Sequence, residues 1–335
     1  MHENLLEWGI PLILTLQGNG DWFVGPLNLF TFTGNVEFYL LIAPAIYWCI
    51  DRRLGVRAAL MVMLSLGLNE TLKIAFHNPR PYWFNPQVRL LSSAEGTFGL
   101  PSGHAQHSVV LWGGIAAVVQ KGWVWGLVVV FSLLVGLSRI FLGVHFPADV
   151  VVGWVFGVAV LLIILRYESP LVAWINRLDI SKQIALFFLI SLLLIGLGAI
   201  TLAMVMAFWS LPAQWVDVAL QAAPAEPINP LSLENLVTVA GAFFGFASGA
   251  KALEHGGSFV VSGHWLKKMG RYGVGVVGVL VLWLGLRMLF GLVAEDETLL
   301  DYILRYIRYG LIGVWMAGVG PLVFIWLGLA EREIR

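Results

Sequence analysis

The sequence predicts an all-α polytopic membrane protein, a helical bundle of about nine transmembrane helices, and three observations carry that reading. Of 335 residues, 59% are hydrophobic and only 12% are charged. The mean hydropathy of +0.84 lies far from that of a soluble domain. The chemically capable residues gather in short clusters at the ends of apolar runs. The formal net charge is zero, so no basic field invites nucleic acid and no acidic tail invites a cationic partner. A single cysteine, Cys49, excludes an intrachain disulfide and a thiolate metal cluster.

The N-terminal Met1-His2-Glu3-Asn4 lacks the positive stretch of a secretory signal and is expected to be retained. Residues 5–19 are apolar but broken by Pro11, and fall short of the ~20 residues a span needs. Residues 1–35 therefore read as an interfacial or re-entrant segment, with a turn over 18–25 and Asp21-Trp22-Phe23 at headgroup level. Spans are expected over 36–50, 56–76, 102–119, 124–141 and 147–165, the last opening on Pro147, which a helix tolerates in its first turn. A loop over 166–182 is followed by spans over 184–208, 236–252, 274–292 and 306–327. Two connections separate these: a Pro-rich stretch over 210–235 with no Lys or Arg, and a basic loop holding Lys267, Lys268 and Arg271. Residues 36–167 form the core that bears the chemistry, and 168–335 a C-terminal bundle of about four spans. Gly241, Gly245 and Gly249 suit close helix packing in lipid.

Three clusters carry the chemistry: Lys73 with Arg80-Pro81, then Pro101-Ser102-Gly103-His104, then Ser138-Arg139 with His145 and Asp149. They supply three fixed cations, two histidines and a carboxylate. A phosphoryl group needs cations for its oxygens, a nucleophile, a group to orient that nucleophile and an acid for the leaving oxygen. Ser102 opens a helix whose unpaired N–H groups form an anion site before any side chain is counted, Gly103 allows close backbone approach, and His104 is placed to protonate a leaving oxygen. Asp149 lies four residues after His145, within reach of one imidazole nitrogen, leaving the other free to attack phosphorus. No metal ligand set or other cofactor is called for.

These clusters resemble the signature of the type-2 phosphatidic acid phosphatase superfamily, which includes lipid phosphate phosphatases, glucose-6-phosphatase and vanadium haloperoxidases. The resemblance implies that His145 is the nucleophile, forming a phosphohistidine that water hydrolyses, with Asp149 and His104 also catalytic. It also implies that Lys73, Arg80, Ser102, Gly103 and Arg139 bind phosphate. A looser likeness to glucose-6-phosphatase rests on Arg80-Pro81-Tyr82-Trp83 and on Ser138-Arg139-Ile140 with His145-Phe146-Pro147. The loop over 84–99 differs, so sugar specificity does not carry over. The expected substrate is a phosphorylated lipid or isoprenoid, met in the lipid bilayer. A small phosphorylated metabolite such as a sugar phosphate is the alternative, and a vanadate-dependent haloperoxidase or a non-catalytic phosphate-binding protein are further ones.

Thirteen of the 20 lysines and arginines fall on one side of the predicted spans, and the three cluster cations lie on the other. The positive-inside rule then puts the clusters on the non-cytoplasmic face. Glu70, an acid inside a span, is a functional candidate, but the favoured reading is structural: it hydrogen-bonds a neighbouring helix or pairs with Lys73 at i+3. Ser262-Gly263-His264 repeats part of the second cluster without the proline, an acid or a nucleophile, and reads as a decoy; His77 and His107 could line the pocket without catalytic roles.

Overall fold

The computed structural model describes residues 2–333, with side chains for all of these except 2–6, 36, 37 and 40. In chain order the helices are α1 (His2–Gln17), α2 (Val24–Phe32), α3 (Val36–Cys49), α4 (Arg52–Phe76), α5 (Pro81–Phe84), α6 (Gly103–Val119) and α7 (Gly122–Phe141). They continue with α8 (Pro147–Ile175), α9 (Ile180–Phe208), α10 (Ala213–Ala222), α11 (Glu234–His255), α12 (Trp265–Phe290), α13 (Leu299–Val314) and α14 (Gly320–Trp326). A π-helical turn, Trp315–Val319, joins the last two. Extended pairing among the described residues is confined to one isolated bridge between Phe259 and Arg332.

Seven helical stretches are long and apolar enough to cross a membrane: Arg52–Phe84, Gly122–Phe141, Pro147–Ile175, Ile180–Phe208, Glu234–His255, Trp265–Phe290 and Leu299–Trp326. The protein is thus a multi-pass, all-helical membrane protein. Two expected spans are shorter, α3 with 14 residues and α6 with 17. At ~1.5 Å per residue these measure roughly 21 and 26 Å, below the ~30 Å of a typical hydrocarbon core.

The structure corrects several boundaries. The loop expected over 166–182 is mostly helix, because α8 runs through Pro170 to Ile175 and α9 begins at Ile180. Pro170 is tolerated because the carbonyl it leaves unpaired belongs to Arg166, an exposed residue that water can reach. Lys267, Lys268 and Arg271 lie in α12 rather than in a loop; His264 caps that helix, its ring accepting from the Leu266 N–H at 3.3 Å. The decoy motif therefore has a structural job. Within the connection over 210–235 sits α10, whose Val218 and Ala219 are buried on one face.

Packing divides the chain into two units. One comprises 1–38, 68–165 and 198–232, and its core joins Ile10 and Ile13 of α1 to Tyr82, Trp83, Phe98, Phe141, Val144 and Phe146. Burial of these large rings around the turns that carry the clusters gives those turns a rigid floor. The other comprises 39–67, 166–197 and 233–335, with Tyr47, Trp48, Phe246, Phe259, Met316 and Phe324 at its centre. There α11 lies against α13 closely enough that a Cβ at Gly249 would sit 3.2 Å from the Gly318 nitrogen and the Val314 Cα. Arg271, 1% exposed, donates to the carbonyls of Leu329, Trp48, Val261 and Ser262. Ion pairs Arg57–Glu168 (2.7 Å) and Arg52–Glu333 (3.1 Å) and a hydrogen bond from Lys251 to Asn176 (2.6 Å) gather basic residues at one end of this unit.

Candidate active site

All three clusters fall in the first unit. Lys73 ends α4, 7% exposed, and its ammonium donates to Thr97 Oγ1 at 3.0 Å and to Glu70 Oε1 at 3.3 Å. The Glu70 pair is the i+3 contact, one of the structural roles the sequence allows. Arg80 precedes Pro81, which forces it into extended backbone (φ −92°, ψ 158°) just before α5 starts. That conformation turns the fully buried guanidinium inward. Its Nε donates to Thr97 O at 2.6 Å, Nη1 to Val144 O at 3.0 Å, and Nη2 to Phe98 O at 3.1 Å and Thr97 Oγ1 at 3.2 Å. Every donor edge of Arg80 is thereby aimed.

Ser102 is the N-cap of α6, its N–H donating to Asp149 O at 2.9 Å. No side chain caps the helix, and the buried Ser102 Oγ has no hydrogen-bond partner. An open helix start with an unengaged hydroxyl is a ready seat for an anion. Gly103 lies tight against Asn69: a Cβ there would come within 2.9 Å of Asn69 Oδ1. His104 follows on the first turn, with Nε2 2.8 Å from Asn35 Oδ1 and its ring packed on Gly34, where any Cβ would collide with the imidazole.

Arg139 closes α7, 1% exposed. Its Nη1 reaches Thr31 Oγ1 at 3.3 Å, and Thr31 in turn shares a 2.9 Å hydrogen bond with Ser138. His145 and Asp149 flank the start of α8, both at most 1% exposed. Asp149 Oδ2 accepts from the Phe146 N–H at 2.9 Å and from His145 Nδ1 at 3.3 Å. On the ring's other side Nε2 stands 3.2 Å from Arg80 Nη1. An arginine can only donate, so Nε2 must hold the lone pair and Nδ1 the proton. Burial, and after it the charges of Arg80, Arg139, Lys73 and His104, hold the imidazole well below its ordinary pKa. The ring is neutral at physiological pH, and its contact with Asp149 is a hydrogen bond to a neutral donor rather than an ion pair.

Arg80, His145 and Asp149 are therefore in direct sequence of contact, and Lys73 joins them through Thr97. Arg139 joins them through a residue that the motif reading passed over. Glu95 bridges the two arginines, Oε2 2.7 Å from Arg80 Nη2 and Oε1 on Arg139 Nη2. Thr31, Asn35 and Thr97 were passed over as well. The available signal was that Glu95 is the sole acid in the polar connection between the first two clusters.

Comparison with known proteins finds similarity in both halves of the chain. Residues 54–173 match the PAP2 superfamily, and 237–332 match the transmembrane extension of PAP2 superfamily phosphatases. An undecaprenyl-diphosphatase of Sulfolobus acidocaldarius is 29% identical over 119 residues, 35% of this chain and 57% of the relative. Sphingosine-1-phosphate phosphatase 1 of Mus musculus is 28% identical over 176 residues, 50% of this chain and 40% of the relative. Glucose-6-phosphatase 3 of Bos taurus is 30% identical over 179 residues, 46% of this chain and 51% of the relative. The chain thus spans about half the length of the curated relatives it matches.

Proposed function

Because the chain belongs to the PAP2 superfamily, we propose that it is an integral membrane phosphatase that hydrolyses phosphomonoesters, with lipid or isoprenoid phosphates as substrates, through a phosphohistidine. The observation that carries this reading is the tautomer of His145: Asp149 accepts a hydrogen bond from Nδ1–H at 3.3 Å while the Nε2 lone pair faces the donors of Arg80 at 3.2 Å. A phosphate drawn onto Arg80, Arg139 and Lys73, with the α6 start and Ser102 beneath it, brings phosphorus up to that lone pair. Nε2 forms the N–P bond as the ester P–O bond breaks, and His104 gives its proton to the departing oxygen. Water then attacks the phosphohistidine, His104 takes one of its protons, and Nε2 leaves with the lone pair restored. Asp149 stabilises the positive ring that exists between the two steps.

Lipid and isoprenoid phosphates are favoured because helices long and apolar enough to cross a membrane carry the site, and because two of the relatives named above are named for lipid-linked phosphates. We propose nine crossings, the seven long helical stretches with the shorter α3 and α6 added, and a site on the non-cytoplasmic face. Basic residues gather at the α4 end marked by Arg52 and Arg57, whereas Lys73 closes the other end of that 25-residue helix. The test is phosphate release by the purified protein, in chelator, from a panel of lipid, isoprenoid and sugar phosphates, with acid-labile labelling of the protein by substrate phosphate. Release from the lipid members with labelling lost in His145→Ala is the expected result. Release confined to sugar phosphates would move the substrate class, and labelling that survives His145→Ala would overturn the nucleophile.

A further inference from the structure

Two arginines assigned to a substrate's phosphate already hold an anion of the protein's own. Glu95 sends one carboxylate oxygen to Arg80 Nη2 at 2.7 Å and the other to Arg139 Nη2. The arginines are 0% and 1% exposed at their side chains, but Glu95 keeps 23% of its side chain open and so sits at the outer edge of the pair. Its backbone is clamped from below, for the buried Tyr82 hydroxyl donates to Glu95 O at 2.9 Å and accepts from Glu95 N–H at 2.9 Å. The following residues are spent on the same cations, Thr97 accepting from Lys73 and Arg80, and Phe98 from Arg80. The segment is therefore built to deliver a carboxylate to this place.

A carboxylate bridging two guanidinium groups makes the contacts that two oxygens of a phosphate would make. Both anions cannot hold the same Nη2 donors, and two negative charges at that separation repel strongly. Other parts of the seat are idle meanwhile: Ser102 Oγ and Arg139 Nε are buried without a partner. We infer that Glu95 is an affinity-setting residue, an internal carboxylate that occupies the phosphate seat between Arg80 and Arg139 and must exchange with the substrate's phosphate. The exchange serves the reaction twice. It keeps two buried cations paired when no substrate is bound, which spares the cost of leaving them bare. It also returns to the seat when inorganic phosphate is made, lowering product affinity and speeding its release. Because an ion leaves as another enters, the net charge of the seat changes little on binding, and a dianion gains over a monoanion.

This inference rests on the reading that Arg80 and Arg139 bind phosphate, and the experiment keeps the two apart. Inorganic phosphate is titrated against the purified full chain in nanodiscs by calorimetry, and as an inhibitor of hydrolysis, for wild type, Glu95→Gln and Arg139→Gln. Glu95→Gln keeps the side chain's size and one acceptor but removes the competing charge, so it should bind phosphate at least about tenfold more tightly. KM for the ester should fall in step, and kcat should stay level or drop as product release slows. Tyr82→Phe, which frees residue 95 without touching the carboxylate, should shift affinity in the same direction by a smaller factor and serves if Glu95→Gln fails to fold. Equal or weaker phosphate binding by Glu95→Gln, with Arg139→Gln losing it, would overturn the competition while leaving the phosphate seat standing. Binding by neither wild type nor Glu95→Gln would remove both.

Discussion

Asp149→Asn separates the orienting role of Asp149 from its charge, and the structure gives the terms. Asp149 Oδ2 accepts two hydrogen bonds, from Phe146 N–H at 2.9 Å and from His145 Nδ1 at 3.3 Å, while the buried Oδ1 has no partner. An asparagine can place its oxygen on the first pair, but its NH2 then lands where nothing accepts it. Leaving that donor unpaired costs about 1–3 kcal/mol of stability. Turned over, the NH2 would face the Phe146 N–H and push the His145 proton to Nε2, into Arg80 Nη1 at 3.2 Å, donor against donor. The first arrangement is thus favoured, and the ring keeps its nucleophilic tautomer. What it loses is the carboxylate beside a ring that becomes positive when Nε2 bonds phosphorus. The same substitution in a Ser-His-Asp triad, where the tautomer also fails, lowers kcat about 10⁴-fold. Since Arg80 guards the tautomer here, the expected fall is about 10²- to 10⁴-fold, or roughly 3–5 kcal/mol. Because Arg80, Arg139 and Lys73 are untouched, KM should move little. The assay is steady-state hydrolysis of a lipid phosphate, with a thermal melt to confirm folding. A folded Asp149→Asn protein with kcat within about threefold of wild type would refute the reasoning.

Burial and surrounding cations hold the His145 pKa down, so the acidic limb of kcat/KM due to this ring should lie below its ordinary value. Removing a cation with Arg139→Gln weakens that depression and should move the limb toward higher pH; a shift the other way, or none, would contradict it. His104→Ala should abolish turnover of alkyl phosphates while leaving partial acid-labile labelling from nitrophenyl phosphate, whose leaving group needs little protonation; equal losses on both substrates would count against the acid role. In a Cys49→Ala background, a cysteine at the exposed Ser93 should react with an impermeant maleimide in intact cells, and one at the exposed Ser181 should not; the reverse pattern would invert the topology. Activity should persist in EDTA and fall in orthovanadate, and rescue by magnesium of an EDTA-inactivated protein would count against the cation-only phosphate seat.

Hydrophobicity alone determined that this chain is a helical membrane protein, because without water every backbone group must be paired inside its own segment. The local spacings carried the site equally far. The i, i+4 spacing of His145 and Asp149 puts one imidazole nitrogen on the carboxylate, Pro81 fixes Arg80 as extended, and Ser102 begins a helix whichever way the rest packs. The sequence erred where polarity and helicity part company. Arg166, Lys267 and Arg271 looked like loop residues, yet helices run through all three, since a charged side chain at a membrane exit can snorkel to water or, as Arg271 does, saturate itself on backbone carbonyls. What only the tertiary structure decided was which groups meet across long separations: Glu95 on Arg139, Thr31 on Ser138, Asn35 on His104, Tyr82 on Glu95. Such pairs follow no period. They depend on how one irregular segment is laid over the ends of several helices, and the buried rings of Tyr82, Trp83, Phe98 and Phe146 that hold it there come from separate parts of the chain.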